Sequence, residues 1–174
     1  VYAEEAGSVA APTAGFHFTE EMLSQLKEKG IKIVNIILHI GMGTFVPIKT
    51  QRIDQHKMHS EFCTIPEETA NVINKAKLEG RRVIAVGSTS IRTLESFWNN
   101  GILMSGSKWT DIFIYPGKNI QVADALITNF HLPKSTLLMM VSAFAGYELT
   151  RKAYEIAVQE HYRFFSYGDA MYIS

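Results

Sequence analysis

Strand-like and helix-like runs alternate along this chain, and that alternation constrains its fold more than any other feature. TEEMLSQLKEK at 19–29 predicts a helix. Thr19 suits the cap, Glu20 and Glu21 suit the positive end, Lys27 and Lys29 close the last turn, and Gly30 stops it. IKIVNIILH at 31–39 is rich in β-branched residues and predicts a strand, and HSEFCTI at 59–65 alternates polar with apolar and predicts a second. PEETANVINKAKLEG at 66–80 opens on Pro and two acids and closes on Gly, a helix signature. RVIAV at 82–86 predicts a short buried strand, and TSIRTLESFWNN at 89–100 a helix with Ile91, Leu94 and Trp98 on one face. DIFIY at 111–115 and DALITNF at 124–130 predict strands; helices follow over 134–145 and 148–162, then a strand near 169–173. This order predicts an α/β protein, a mixed sheet with helices on both faces.

Composition narrows the function classes. The 174 residues suit one domain, with 47% hydrophobic and 20% charged residues. Lys+Arg and Asp+Glu both number 17, so a strongly basic nucleic-acid-binding domain is excluded. Local basic clusters remain at Lys49, Arg52 and Lys57 and at Lys75, Lys77, Arg81 and Arg82. The single cysteine, Cys63, rules out an intrachain disulfide and a Cys-based zinc site, and fits a cytoplasmic protein. The longest apolar run, Leu137–Ala145 broken by Ser142, falls short of the about 20 residues that a membrane helix needs. The opening VYAEEAGSVAAPTAG starts on Val1 and reads like the interior of a protein, so a fragment is expected.

Ligands of open α/β sheets gather beyond the carboxyl ends of strands. Four junctions here have the polarity for it. His39 ends the 31–39 run, and Gly41, Gly43 and Thr44 follow; paired glycines let backbone N–H groups approach a ligand, although a plain glycine turn accounts for them better. At 87–90 a strand runs through Gly87 into Ser88, Thr89 and Ser90 and then a helix. That pattern binds anions or sugar oxygens, or is simple capping by a hydroxyl. Arg92 and Glu95 follow three apart on the same helix; without a ligand they are a surface pair. At 129–131 Asn129, Phe130 and His131 end a strand, and Pro133, Ser135 and Thr136 open a helix so apolar that it reads as buried. His131 is therefore a titratable group at a site or a satisfied core histidine. Finally, His56, His59 and Glu61 match no metal-site spacing, and the aromatics of YRFFSYGDAMYI at 162–173, beside Asp169, read as core.

The segments VAAPTAGFHF (9–18), LHIGMGTFVPI (38–48), MHSEF (58–62), VIAVGSTSIRTLES (83–96), IFIYPG (112–117), VADALITNFHLPKSTLLMMVSAFAG (122–146) and YRFFSYGDAMYI (162–173) occur in order along the chain. Together they resemble the S-adenosylmethionine:tRNA ribosyltransferase-isomerase family of queuosine biosynthesis. The resemblance implies transfer and isomerisation of the ribosyl group of S-adenosylmethionine onto 7-aminomethyl-7-deazaguanine at the tRNA wobble position, giving epoxyqueuosine, adenine and methionine. It implies no metal, no membrane, and a cytoplasmic monomer. Family members are about twice as long, so this chain would be the C-terminal portion of an α/β catalytic domain, lacking the N-terminal part and an inserted β-barrel. His131, His39 and His17 are the candidate catalytic imidazoles. Gly41, Gly43, Thr44, Ser88, Thr89, Ser90, Arg92, Glu95, Asn129 and Asp169 are candidate substrate contacts. A conventional methyltransferase would need a glycine-rich loop after its first strand and an acid ending the second, and neither is clear here. A non-catalytic RNA-binding fragment is the other alternative.

Overall fold

The computed structural model describes residues 11–41, 50 and 52–174. Local signals set most helix starts. In α1 (Glu20–Glu28) the Thr19 hydroxyl accepts from the Met22 N–H at 3.1 Å, and Gly30 leaves the helix at φ 81°. Helix α2 (Glu67–Leu78) begins after Pro66 with Glu67 and Glu68 in its first turn and ends with Lys75 and Lys77.

The strands in chain order are β1 (Ile37–His39), β2 (Glu61–Ile65), β3 (Ile84–Val86), β4 (Trp98–Asn99), β5 (Ile102–Leu103), β6 (Gly106–Thr110), β7 (Ala125–Asn129) and β8 (Ala170–Ile173). Helix α3 (Ser88–Phe97) follows β3, and α4 (Thr136–Ala145) and α5 (Tyr147–Gln159) lie between β7 and β8. The architecture is mixed α/β, but the strands divide among small sheets. An antiparallel sheet has the order β1-β2-β6. A mixed sheet has the order β3-β7-β8, with β3 parallel to β7 and β8 antiparallel to it. Helix α3 packs against β1, β2 and β3. Its buried residues Ile91, Leu94 and Phe97 join Cys63, Ile65, Leu103, Val122 and Leu126 in one core.

Four expectations change. The strand expected over 31–39 forms only at Ile37–His39, where residues meet Phe62–Thr64; Ile31 and Ile33 are exposed and β-branching alone finds no ladder. The helix expected to include Trp98 stops at Phe97. Trp98 and Asn99 instead pair with Leu103 and Ile102 across Asn100–Gly101, at φ 48° and 90°. That is the positive-φ pair of a tight hairpin. The strand expected at 111–115 lies at Gly106–Thr110, paired with β2. The helix expected to be buried all round, α4, buries only Met140, Val141 and Ser142. Leu138 and Ser142 line a groove of about 570 Å³ shared with Tyr147, Tyr154 and Val158 of α5.

Candidate active site

Because β3 and β7 are parallel neighbours with Val86 opposite Ile127, their carboxyl ends lie side by side. The Gly87 N–H donates to the Ile127 carbonyl at 2.8 Å. Gly87 sits at φ 92°, and a Cβ there would meet Thr89 Oγ1 at 3.3 Å and the Ala14 Cβ at 3.6 Å. The tight turn therefore brings a three-ten turn, Thr13–His17, against the start of α3. No side chain among the described residues caps that helix at Gly87, and the Ser90 hydroxyl donates to the Val86 carbonyl at 2.7 Å. Half-buried Ser88 and Thr89 thus flank a helix N-terminus whose positive end faces the β7 end.

Asn129 ties this region together from the last position of β7. It is 3% exposed. Its Nδ2 donates to the Phe165 carbonyl at 3.2 Å and faces His17 Nε2 at 3.1 Å, and Thr13 Oγ1 donates to its Oδ1 at 3.5 Å. A carbonyl cannot donate, so Phe165 fixes which end of the amide is NH₂. His17 Nε2 is then the acceptor, and the neutral ring carries its proton on Nδ1. His17 itself is half-buried, and Phe16 beside it is exposed. Asp169, antiparallel to Phe130, accepts the Phe130 N–H through its carbonyl at 3.3 Å. Its carboxylate accepts the Arg163 N–H at 2.7 Å and Arg163 Nη2 at 2.8 Å, and these bonds hold its pKa below the usual carboxylate value. Gly168 completes the clamp, since a Cβ there would lie 2.4 Å from the Arg163 carbonyl oxygen.

His131 is placed differently. It is 7% exposed, its Nε2 lies 3.0 Å from Thr128 Oγ1, and its backbone N–H donates to the Tyr154 hydroxyl at 2.9 Å. Burial pushes the imidazole down to about 4 and the Tyr154 phenol up to about 12. The ring is thus neutral at neutral pH and turned into the core behind Asn129.

The other candidates separate. His39 ends β1 in the antiparallel sheet and stacks on Phe62 at 6.1 Å; Gly41 beyond it is exposed. Gly43 and Thr44 lie outside the described residues, as does Lys49. Arg92 and Glu95 do not form the expected surface pair. Arg92 is 4% exposed and its Nη1 donates to the Glu61 carboxylate at 2.5 Å, while among the described residues its Nε and Nη2 have no partner. Glu95 accepts the Gln121 N–H at 3.0 Å and the Val122 N–H at 2.8 Å, and burial raises its pKa. Of His56, His59 and Glu61, Glu61 is engaged by Arg92 and His56 packs against Phe113 at 5.1 Å. The second basic cluster is largely paired: Lys77 with Asp124, Arg81 with Glu79, and Arg82 with the Tyr172 hydroxyl. It lies at the amino end of β3, away from Ser88. Thr13, Arg163 and the Phe165 carbonyl are partners that sequence reasoning missed, because nothing local in the chain ties them to β7.

Polar side chains gathered on the carboxyl ends of parallel strands, beside an uncapped helix start, mark an α/β protein with its candidate ligand site at that edge. The family model described as queuosine biosynthesis protein matches residues 1–173, and the chain belongs to that family. It is 58% identical, over 174 residues, to a protein of Natranaerobius thermophilus named S-adenosylmethionine:tRNA ribosyltransferase-isomerase, covering 99% of this chain and 51% of that protein. A protein of the same name from Carboxydothermus hydrogenoformans is 60% identical over 173 residues, again with 51% of its length covered. The crystal structure of an S-adenosylmethionine tRNA ribosyltransferase from Thermotoga maritima superposes with a TM-score of 0.75 at 41% identity, over 92% of this chain and 51% of that one. The chain thus spans about half the length of the curated relatives it matches.

Proposed function

We propose that this chain is the C-terminal portion of the α/β catalytic domain of an S-adenosylmethionine:tRNA ribosyltransferase-isomerase. The reaction transfers and isomerises the ribosyl group of S-adenosylmethionine onto 7-aminomethyl-7-deazaguanine at the tRNA wobble position, giving epoxyqueuosine and releasing adenine and methionine. The enzyme works as a monomer in the cytoplasm and without a metal. Family membership supports the reaction; the observation that carries the site is the His17–Asn129–Phe165 arrangement beside the open start of α3.

S-adenosylmethionine as ribosyl donor supplies a sulfonium that acidifies the neighbouring C–H, and an adenine leaving group. The residues of this chain orient and exchange protons around it. Asn129 holds His17 through Nε2, so the group His17 offers is its Nδ1–H, which suits a hydrogen bond to a ring nitrogen of the adenine as it leaves. The hydroxyls of Ser88 and Thr89, with the N–H groups of the first turn of α3, suit the ribose oxygens. His131 backs Asn129 and holds the strand end in place. His39, Gly41, Gly43, Thr44, Arg92, Glu95 and Asp169 complete the region, Glu95 and Asp169 by fixing backbone and Arg92 by the unpartnered edge of its guanidinium.

The test is His17→Ala in the intact protein. Adenine release with modified tRNA should fall roughly 10²–10³-fold, the effect of losing one hydrogen-bond donor to developing charge, with S-adenosylmethionine affinity and melting temperature little changed. Full turnover in a folded mutant would remove His17 from the chemistry. Release of S-adenosylhomocysteine by the wild type would instead identify a methyltransferase, and tRNA binding without any turnover a binding module.

A further inference from the structure

Aromatic side chains at 162–173 divide into two groups. Phe164 packs into the interior, its ring centroid 5.3 Å from Phe130 and 5.8 Å from Tyr154. Tyr167 does the opposite. It is 85% exposed, and its only recorded ring partner among the described residues is Phe16, itself 43% exposed. The two rings are offset-stacked with centroids 6.0 Å apart and planes 16° apart. They come from segments about 150 residues apart in sequence, so a tertiary arrangement, not a local one, builds this two-ring stack.

The surface is also held firmly. The loop carrying Tyr167 is closed by the Arg163–Asp169 ion pair at 2.8 Å and by the Gly168 N–H donating to the Phe165 carbonyl at 3.0 Å. Phe165 is kept at φ 73°, a left-handed conformation that a bulky residue adopts only under constraint, with its N–H donating to the Phe130 carbonyl at 2.8 Å. Its own ring is 43% exposed. A loop this constrained that still turns tyrosine to solvent is not spending that ring on the core.

Position gives the surface its meaning. Phe16 is the chain neighbour of His17, whose ring meets Asn129, and the same Asn129 donates to the Phe165 carbonyl. The platform therefore forms a rim of the candidate site. We propose that Phe16 and Tyr167 stack an unpaired nucleobase of the RNA loop beside the base presented to His17 and Asn129. This rests on the reading of the substrate as tRNA. Single-stranded RNA loops are recognised by splaying bases onto aromatic faces, and such stacking tolerates any base. The adenine of the small-molecule donor fits less well, because small ligands bury most of their surface in concave pockets and Tyr167 is open on its outer face.

The experiment uses the intact protein, with Tyr167→Ala and Tyr167→Phe, and tRNA carrying 2-aminopurine on either side of the wobble position. Tyr167 is 85% exposed in this chain, and the melting temperature of each variant of the intact protein is measured alongside to report any loss of folding. Tyr167→Ala should weaken tRNA binding about 5- to 150-fold, the effect of one lost base–aromatic stack. Tyr167→Phe should keep wild-type affinity, and S-adenosylmethionine affinity should not move in either variant. Binding of wild type should quench one of the 2-aminopurines, and Tyr167→Ala should abolish that quenching. A loss confined to S-adenosylmethionine affinity would assign the platform to the donor's adenine and overturn the proposal. Unchanged tRNA affinity overturns it too; if melting temperature then falls, the rings belong to an internal interface of the intact protein. Wild type that binds no tRNA would bring down the functional reading itself, an outcome separate from a wild type that binds tRNA with no help from Tyr167.

Discussion

Lowering the pH should destabilise this fold through one buried imidazole. His131 is 7% exposed and burial holds its pKa near 4, against 6.5 for an imidazole in the unfolded chain. Above pH 6.5 the ring is neutral in both states and adds no pH dependence. Below 6.5 the unfolded chain takes up a proton that the folded ring refuses until about pH 4. Stability present above 6.5 is therefore lost as the pH falls through this window. The full difference is worth roughly 3 kcal/mol, of which about 2 kcal/mol is gone by pH 5. The control is His131→Gln, which keeps a polar group near Thr128 Oγ1 but does not titrate. Urea unfolding of both proteins at pH 7, 6 and 5 isolates the imidazole, because carboxylates elsewhere titrate alike in the two. Wild type should lose about 2 kcal/mol more than His131→Gln between pH 7 and 5. Parallel stability curves would show that the ring protonates freely in the folded state, and would reopen it as a proton carrier in the site.

Two further substitutions probe the scaffold. Gly168→Ala would place a Cβ 2.4 Å from the Arg163 carbonyl oxygen and 2.6 Å from the Phe164 carbonyl carbon, both backbone, so the 163–169 loop must shift. The cost should be about 1–3 kcal/mol by melting, with adenine release lost beyond what unfolding explains; a fully active, equally stable mutant would show that this loop does not position Asn129. Arg92→Met removes the guanidinium from a Glu61 carboxylate that is 1% exposed, and should cost about 3–5 kcal/mol by urea unfolding. Adding Glu61→Gln should recover most of that loss, and a double mutant no better than Arg92→Met would deny the pair its energetic coupling.

Much of this was legible where the signal is local. The Thr19 cap, the acids opening α2 and the glycines closing helices act within a few residues, and those elements stand where the sequence puts them. The hairpin at Trp98–Leu103 was also legible in principle, from Asn100–Gly101, but the helical spacing of Ile91, Leu94 and Trp98 outweighed that dipeptide. The run 31–36 was not legible, because a β-branched segment becomes a strand only if a partner reaches it. For the site, the rule of strand carboxyl ends grouped the junctions at Ser88–Ser90, Asn129–His131 and Gly41–Gly43; β3 and β7 are parallel neighbours, which brings the first two together, while the Gly41 junction follows a strand of the other sheet. The rule could not supply Thr13, 116 residues from Asn129, nor the Phe165 carbonyl, which carries no side-chain signature at all. The Arg92–Glu61 pair was hidden for the same reason: two charged residues on separate elements give no sign that they will be buried together.

His131 and His17 show why residue type and position in a motif do not decide chemistry. Both lie beside the end of β7, and His131 has the more suggestive sequence context, just before a helix start. The pleat and the turn separate them. Asn129 is the last residue of β7 and directs its amide toward the three-ten turn, whereas the chain bends at Phe130 and returns the His131 ring to Thr128. Phe130 is fixed there by Tyr154 at 5.3 Å and Tyr162 at 5.5 Å, so the bend is a packing consequence of the aromatic cluster. One imidazole is thereby desolvated and turned into the core, where burial lowers its pKa, and the other is half-buried with one nitrogen anchored by an amide. A neutral imidazole acts on a substrate through the ring N–H it can present to it. Of the two, only His17 is placed to present one: its Nε2 is taken up by the Asn129 amide, which leaves Nδ1–H, and it lies beside the exposed Phe16–Tyr167 rim.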